Sequence, residues 1–173
     1  VQQALTALRN MEHRGGVGGD EGTGDGAGIT VQIPHGFFTD VVDFDLPEPG
    51  HYAVGTAFLD SADPAAGQAT VTSFAEQEGL RILGWRDVPV VPDVVGRSAR
   101  AVMPQFKQVF LALDPRIPVT CDEHGNPAPM ELERRAWATR KRSEHSGVYF
   151  PSLSSRTLTY KGMLSTGQLA PFY

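Results

Sequence analysis

Arg14, Asp20, Glu21 and Asp25 are chemically capable side chains held in a stretch that is half glycine: eight of the sixteen residues from 13 to 28. A guanidinium carries five donors in a rigid fork, suited to pinning loop carbonyls or a carboxylate. An aspartate among glycines accepts bonds from nearby backbone N–H groups and braces a turn. Glycine loses more backbone entropy on folding than any other residue, so such density marks positive φ angles or close backbone approach. A flexible linker would favour serine over these charges. The acids do not alternate as a calcium loop requires. The phosphate-cradle pattern ending in Lys-Ser/Thr is missing, and three carboxylates repel a phosphate. A dinucleotide fingerprint runs strand, glycines, helix; here the order is helix, glycines, strand. The loop is therefore expected to build a site on a rigid scaffold, with Gly15 permitting close backbone approach, Asp25 bracing the turn and His13 as a structural histidine.

Two other groups invite a chemical reading. Cys121 and His124 lie three residues apart, but after Ile117-Pro118 and before Gly125 they read as a strand-end cysteine beside a turn histidine. The only cysteine cannot form an intrachain disulfide, so a reducing cytoplasm is expected. Arg134, Arg135, Arg140, Lys141 and Arg142 are five of the fifteen lysines and arginines. They sit on a helical stretch that either meets an acidic partner or is a solvated face, and the second reading is preferred.

The elements that must position these residues follow from periodicity. Val1, Ala4, Leu5, Leu8 and Met11 give one apolar helical face. Ile29, Val31 and Ile33 alternate with polar residues as a half-buried strand. A short helix is expected over 37–42 and a strand over 52–59. Asp63-Pro64 reads as an N-cap with proline at the first helical position, opening a helix that stops at Gly79. Strands are expected over 80–88 and 105–114, and a helix capped by Asp93 over 94–103. A further helix over 130–143 precedes two adjacent strands, 149–156 and 158–161. Strands interspersed with helices point to a layered α/β or α+β fold.

Composition sets the class. The 173 residues are 40% hydrophobic and 20% charged, which suits one globular domain or most of a larger one. The net charge of -5 speaks against nucleic-acid binding. No apolar run is long enough for a membrane span. The chain opens on Val1 and closes on Ala170-Pro171-Phe172-Tyr173, so a piece of a longer protein is expected.

Ala4-Leu5, Leu8, Asn10-Met11-Glu12-His13-Arg14-Gly15, then Thr23-Gly24-Asp25-Gly26-Ala27-Gly28-Ile29 and Gln32-Ile33-Pro34-His35, form a specific ordered set. Together with Leu83-Gly84-Trp85-Arg86-Asp87-Val88-Pro89, the arginine-rich helix, and Phe150 through Leu164, they resemble the glutaminase (class II glutamine amidotransferase) domain of glutamate synthases across essentially the whole chain. The resemblance implies an α+β, four-layer αββα Ntn-hydrolase sandwich, incomplete here, with residues 1–173 forming part of one domain. It implies an N-terminal cysteine that attacks the glutamine amide with its own α-amino group as base, with Arg14 close to the nucleophile pocket and Gly15 and Asp25 supporting the loop beside it. A thioester forms, ammonia leaves, and water releases glutamate. It further implies that ammonia reductively aminates 2-oxoglutarate elsewhere in the parent. That site uses FMN and an iron–sulfur cluster, with NADPH and FAD on a smaller electron-donating subunit, or ferredoxin.

The sequence departs from the family at its chemistry. The nucleophilic cysteine is expected upstream of Val1. The glutamine-binding arginine and the Asn-Gly oxyanion motif are expected beyond Tyr173. No catalytic residue, metal or cofactor is therefore expected within this chain, and on its own it is expected to be inactive. Cut sheet edges predict self-association, or disorder over 15–27. A non-catalytic interaction or regulatory module on the same scaffold is the alternative.

Overall fold

The computed structural model describes residues 1–16, 22–118, 121 and 130–173. In chain order the elements are α1 (Gln2–Asn10), β1 (Ala27–Gln32), α2 (His35–Val41), β2 (Ala53–Leu59), α3 (Pro64–Gln77) and β3 (Leu80–Asp87). They are followed by α4 (Arg97–Ala101), β4 (Gln105–Leu113), α5 (Glu131–His145), β5 (Thr157–Gly162) and α6 (Leu169–Phe172). This is a mixed α+β fold. It divides into two compact units, one of residues 1–31, 88–104 and 159–173, the other of 32–87 and 105–158.

The second unit is built on an antiparallel sheet in the order β2-β4-β3. Alternation puts Ala53, Ala57 and Leu59 of β2 and Val109 and Leu111 of β4 on one face, where they pack with Val71 and Ala75 of α3 and Leu132 and Ala136 of α5. Burying each large aliphatic side chain stabilises this layer by roughly 1.5–3 kcal/mol. On the opposite face the Phe110 ring lies 5.0 Å from Phe38, 5.3 Å from Phe44 and 6.1 Å from Tyr52. Gln108 is fully buried there and accepts a 2.9 Å hydrogen bond from Arg86. Between Ile82 and Gly84 the β3–β4 register slips by one, a bulge that leaves Leu83 without an opposite number.

α3 begins as its sequence dictates. The Asp63 carboxylate accepts from the Ala66 N–H at 3.0 Å, Pro64 fills the first turn, and Gly79 closes the helix at φ +71°. The arginine-rich face of α5 is solvated only in part: Arg134 stays exposed while paired with Glu131, whereas Arg135 and Arg140 are largely withdrawn from solvent. Arg135 is buried; it pairs with Glu131 at 2.7 Å and donates to the Gly79 and Pro118 carbonyls. Arg142 pairs with Glu78, bonds Gln77 and lies over the Phe74 ring. Arg140 and Lys141 share Glu144. Arg135 and Arg142 tie α5 to the α3–β3 corner, while Arg140 and Lys141 pair within α5.

The expected strand over 149–156 is replaced by isolated bridges, Tyr149 to Phe58 and Ser154 to Val54. Pro151 cannot donate to a ladder. Glu133 instead gathers the segment, accepting from the Ser154 and Ser155 hydroxyls and the Ser155 N–H.

In the first unit β1 pairs with β5, and Thr30 and Thr159 share a 2.9 Å hydroxyl bond across the pair. A Cβ on Gly28 would lie 2.8 Å from the Tyr160 carbonyl oxygen, so only glycine permits this approach. α6 carries buried Leu169 and Phe172, and the Tyr173 hydroxyl donates to the Lys161 carbonyl at 2.9 Å. Burial pushes that phenol well above its usual range. The helix expected over 94–103 is shorter. Pro92–Val94 forms a 3-10 turn and α4 starts only at Arg97. Gly96 is held extended because its N–H donates to the Gly22 carbonyl at 2.9 Å, and Asp93 pairs with Arg100 at 3.0 Å instead of capping.

Candidate functional site

The candidate site is the glycine loop, whose two roots are described although residues 17–21 are not. The first root leaves α1 at Met11 and tightens into a 3-10 turn over Glu12–Arg14, closed by bonds from the Arg14 N–H to the Met11 carbonyl at 2.8 Å and the Gly15 N–H to the Glu12 carbonyl at 3.0 Å. His13 and Arg14 are exposed on this turn. Among the described residues the Arg14 guanidinium has no hydrogen-bond or ion-pair partner. Gly15 turns the chain into extended backbone, at φ -88° and ψ 153°.

Asp25 joins the two sides of the loop. Its carboxylate accepts from the Gly16 N–H at 2.8 Å, and its own N–H donates to the Gly16 carbonyl at 3.4 Å. A Cβ on Gly16 would stand 2.8 Å from the same carboxylate oxygen. The structure thus brings Gly15 and Asp25 together at the neck of the loop, with Arg14 one residue away and not bonded to Asp25. The acids Asp20 and Glu21 and the disorder expected over 15–27 fall wholly or partly outside the described residues.

The second root is more heavily constrained. Gly22 adopts φ +81° and Gly26 φ +145°, values open to glycine. A Cβ on Gly24 would lie 2.3 Å from the Leu164 carbonyl carbon, so Gly24 rests directly on that backbone. Thr23 is buried against Gly96, and its hydroxyl, like that of Thr166, has no hydrogen-bond partner among the described residues. Gln168 completes the root. Its carboxamide nitrogen donates to the Gly22 carbonyl at 2.6 Å and to the Val94 carbonyl at 2.7 Å, while its oxygen accepts from the Ser165 N–H at 2.7 Å. Sequence reasoning missed Gln168, because a lone glutamine after Gly167 has nothing to mark it as a partner of residues 146 positions away.

Chemically, this arrangement offers a guanidinium and a fixed backbone rather than a reacting group. Among the described residues no three His, Cys, Asp or Glu side chains come together as a metal site. Cys121 is exposed, and His124 lies outside the described residues, as does any pairing between them. No helix among the described residues is long and apolar enough to cross a membrane.

Comparison with known proteins adds the remaining evidence. The profile of the family Glutamine amidotransferases class-II matches residues 1–173. The chain is similar to "Glutamate synthase [NADPH] large chain" of Bacillus subtilis (strain 168), with 38% identity over 182 residues covering all of this chain and 11% of that protein. It is similar to "Ferredoxin-dependent glutamate synthase 2, chloroplastic" of Arabidopsis thaliana, with 40% identity over all of this chain and 11% of that protein. A third relative, "Glutamate synthase [NADPH] large chain" of Azospirillum brasilense, is 34% identical over all of this chain and 12% of its own length. The chain therefore spans about a tenth of the length of these relatives.

Proposed function

We infer the function from one premise: the chain belongs to the class II glutamine amidotransferases. On this reading it is part of one glutaminase domain, residues 1–173, in the large chain of a glutamate synthase. The supporting observation is the match, over the whole of this chain, to part of both NADPH- and ferredoxin-dependent glutamate synthases. Glutamine is the substrate, and the remainder of the large chain and an electron donor are the partners, in a cytoplasmic enzyme.

The chemistry divides accordingly. A cysteine thiolate upstream attacks the side-chain carbonyl carbon of glutamine, the amide nitrogen leaves as ammonia after protonation, and water cleaves the thioester to glutamate. The residues of this chain support that pocket. Asp25 holds the Gly16 N–H and so sets the spacing of the loop neck. Gly15 leaves room for another backbone to approach. Arg14 supplies a guanidinium able to bind the incoming segment or a carboxylate. FMN and an iron–sulfur cluster supply the reductive step elsewhere in the parent. The lone cysteine here does not fit a cluster site, which takes up to four thiolates.

The assay is ammonia release from glutamine. The full-length large chain turns glutamine over, and the isolated 173-residue chain releases nothing above background. Turnover by the isolated chain overturns the placement of the nucleophile outside it, and no turnover by the full-length protein overturns the glutaminase assignment and favours a non-catalytic module.

A further inference from the structure

Gln168 joins three separate backbone segments of the first unit through one carboxamide: Gly22 in the glycine loop, Val94 before α4, and Ser165 before α6. Both amide hydrogens and the amide oxygen are engaged, at 2.6, 2.7 and 2.7 Å, so the side chain has a single satisfied orientation. Gly22 receives a second bond, from the Gly96 N–H at 2.9 Å, and Gly24 and Gly96 are packed too closely for any Cβ. The second root of the loop is therefore fixed from two directions. The first root is fixed to it through Asp25 and Gly16.

We propose that Gln168 is a positioning residue for the amidotransferase reaction: by holding the Gly22 carbonyl it sets where Asp25, and through it Gly16, Gly15 and Arg14, stand relative to the attacking sulfur. The inference rests on the functional reading above. In this role Gln168 acts through the loop, by its bonds to Gly22, Val94 and Ser165. Misplacement of a catalytic constellation by about 1 Å lowers rate by about a hundredfold. A loosened root is thus expected to act on kcat more than on glutamine affinity.

The test uses the full-length large chain with Gln168→Met, which keeps length and removes all three bonds, and Gln168→Glu, which keeps the acceptor for Ser165 and replaces the donors. Gln168→Met is expected to lower kcat for glutamine hydrolysis by about tenfold or more, with KM changed less than about threefold. In Gln168→Glu a carboxylate faces two carbonyl oxygens, so its protonated form is favoured and can donate to one of them. The ratio of its kcat to that of the unaltered protein should rise as pH falls. Melting temperature is followed in parallel. An unaltered kcat in Gln168→Met, a loss that only tracks the folded fraction, or a flat ratio for Gln168→Glu overturns the proposal. If the unaltered protein itself fails to hydrolyse glutamine, the functional reading has failed instead.

Discussion

The two compact units are held together by different means. The 32–87 and 105–158 unit is a sheet with apolar layers, where Phe110, Phe38, Leu59 and Leu111 are fully buried. The unit carrying the glycine loop relies on chain-to-chain approach: Gly24 on Leu164, Gly28 on Tyr160, Gly96 on Thr23, and a single carboxamide among three strands of backbone. Apolar burial is non-directional and tolerates small shifts, whereas backbone contacts at this range define position to a fraction of an ångström. Stability and precision are thus assigned to different parts of one chain, and the candidate site lies in the precise part.

Three substitutions test that division. Phe110→Ala removes a ring that contacts three aromatic neighbours and is expected to cost about 3–5 kcal/mol, read as a lower denaturant midpoint. If it leaves the midpoint unchanged, burial is not what holds the sheet unit. Gly24→Ala places a methyl within the Leu164 backbone and is expected to cost about 1–3 kcal/mol while reducing glutamine turnover in the full-length protein by a larger factor than Phe110→Ala does in its folded fraction. Equal losses of activity per unit of stability would erase the distinction.

The smallest effect concerns charge at the rim of the sheet unit. Asp114 receives hydrogen bonds from the Arg116 side chain and N–H, which hold its carboxyl down to about 2. An unfolded aspartate titrates near pH 3.9. A depressed carboxylate adds stability that is present above the unfolded value and is lost as pH falls from about 4 toward about 2. Asp114→Asn should therefore flatten the midpoint-versus-pH curve in that window and lower the midpoint at pH 7, where the contribution of the pair is fully present. A curve as steep as that of the unaltered chain removes the pair from the acid response.

Much of the scaffold was legible in the sequence because local rules and tertiary packing agree there. The Asp63-Pro64 cap, the Gly79 stop and the strand expected over 52–59 each appear where their chemistry requires. Several of the misses share one cause, namely partners distant in sequence. Gly96 gives up helix because Gly22 claims its N–H. The basic face of α5 pairs with acids and carbonyls from α3, its own turns and the chain near 79 and 118. Gln168 lies 146 positions from Gly22. In the loop, composition announced that something unusual occurs between 13 and 28, and Arg14, Gly15 and Asp25 were singled out. The residue that ties the second root was silent, since a glutamine carries no signature until its neighbours are known.

The slipped register in β3 has a consequence of its own. Ile82 and Trp85 both pack toward the helices although three positions separate them, because Leu83 is a supernumerary residue in the ladder. Deleting Leu83 would restore plain two-residue alternation while every flanking pair kept its mate. Deleting a residue from unbulged β2 would invert all that follows. Length can therefore vary at this one rung of the sheet without exchanging inside for outside.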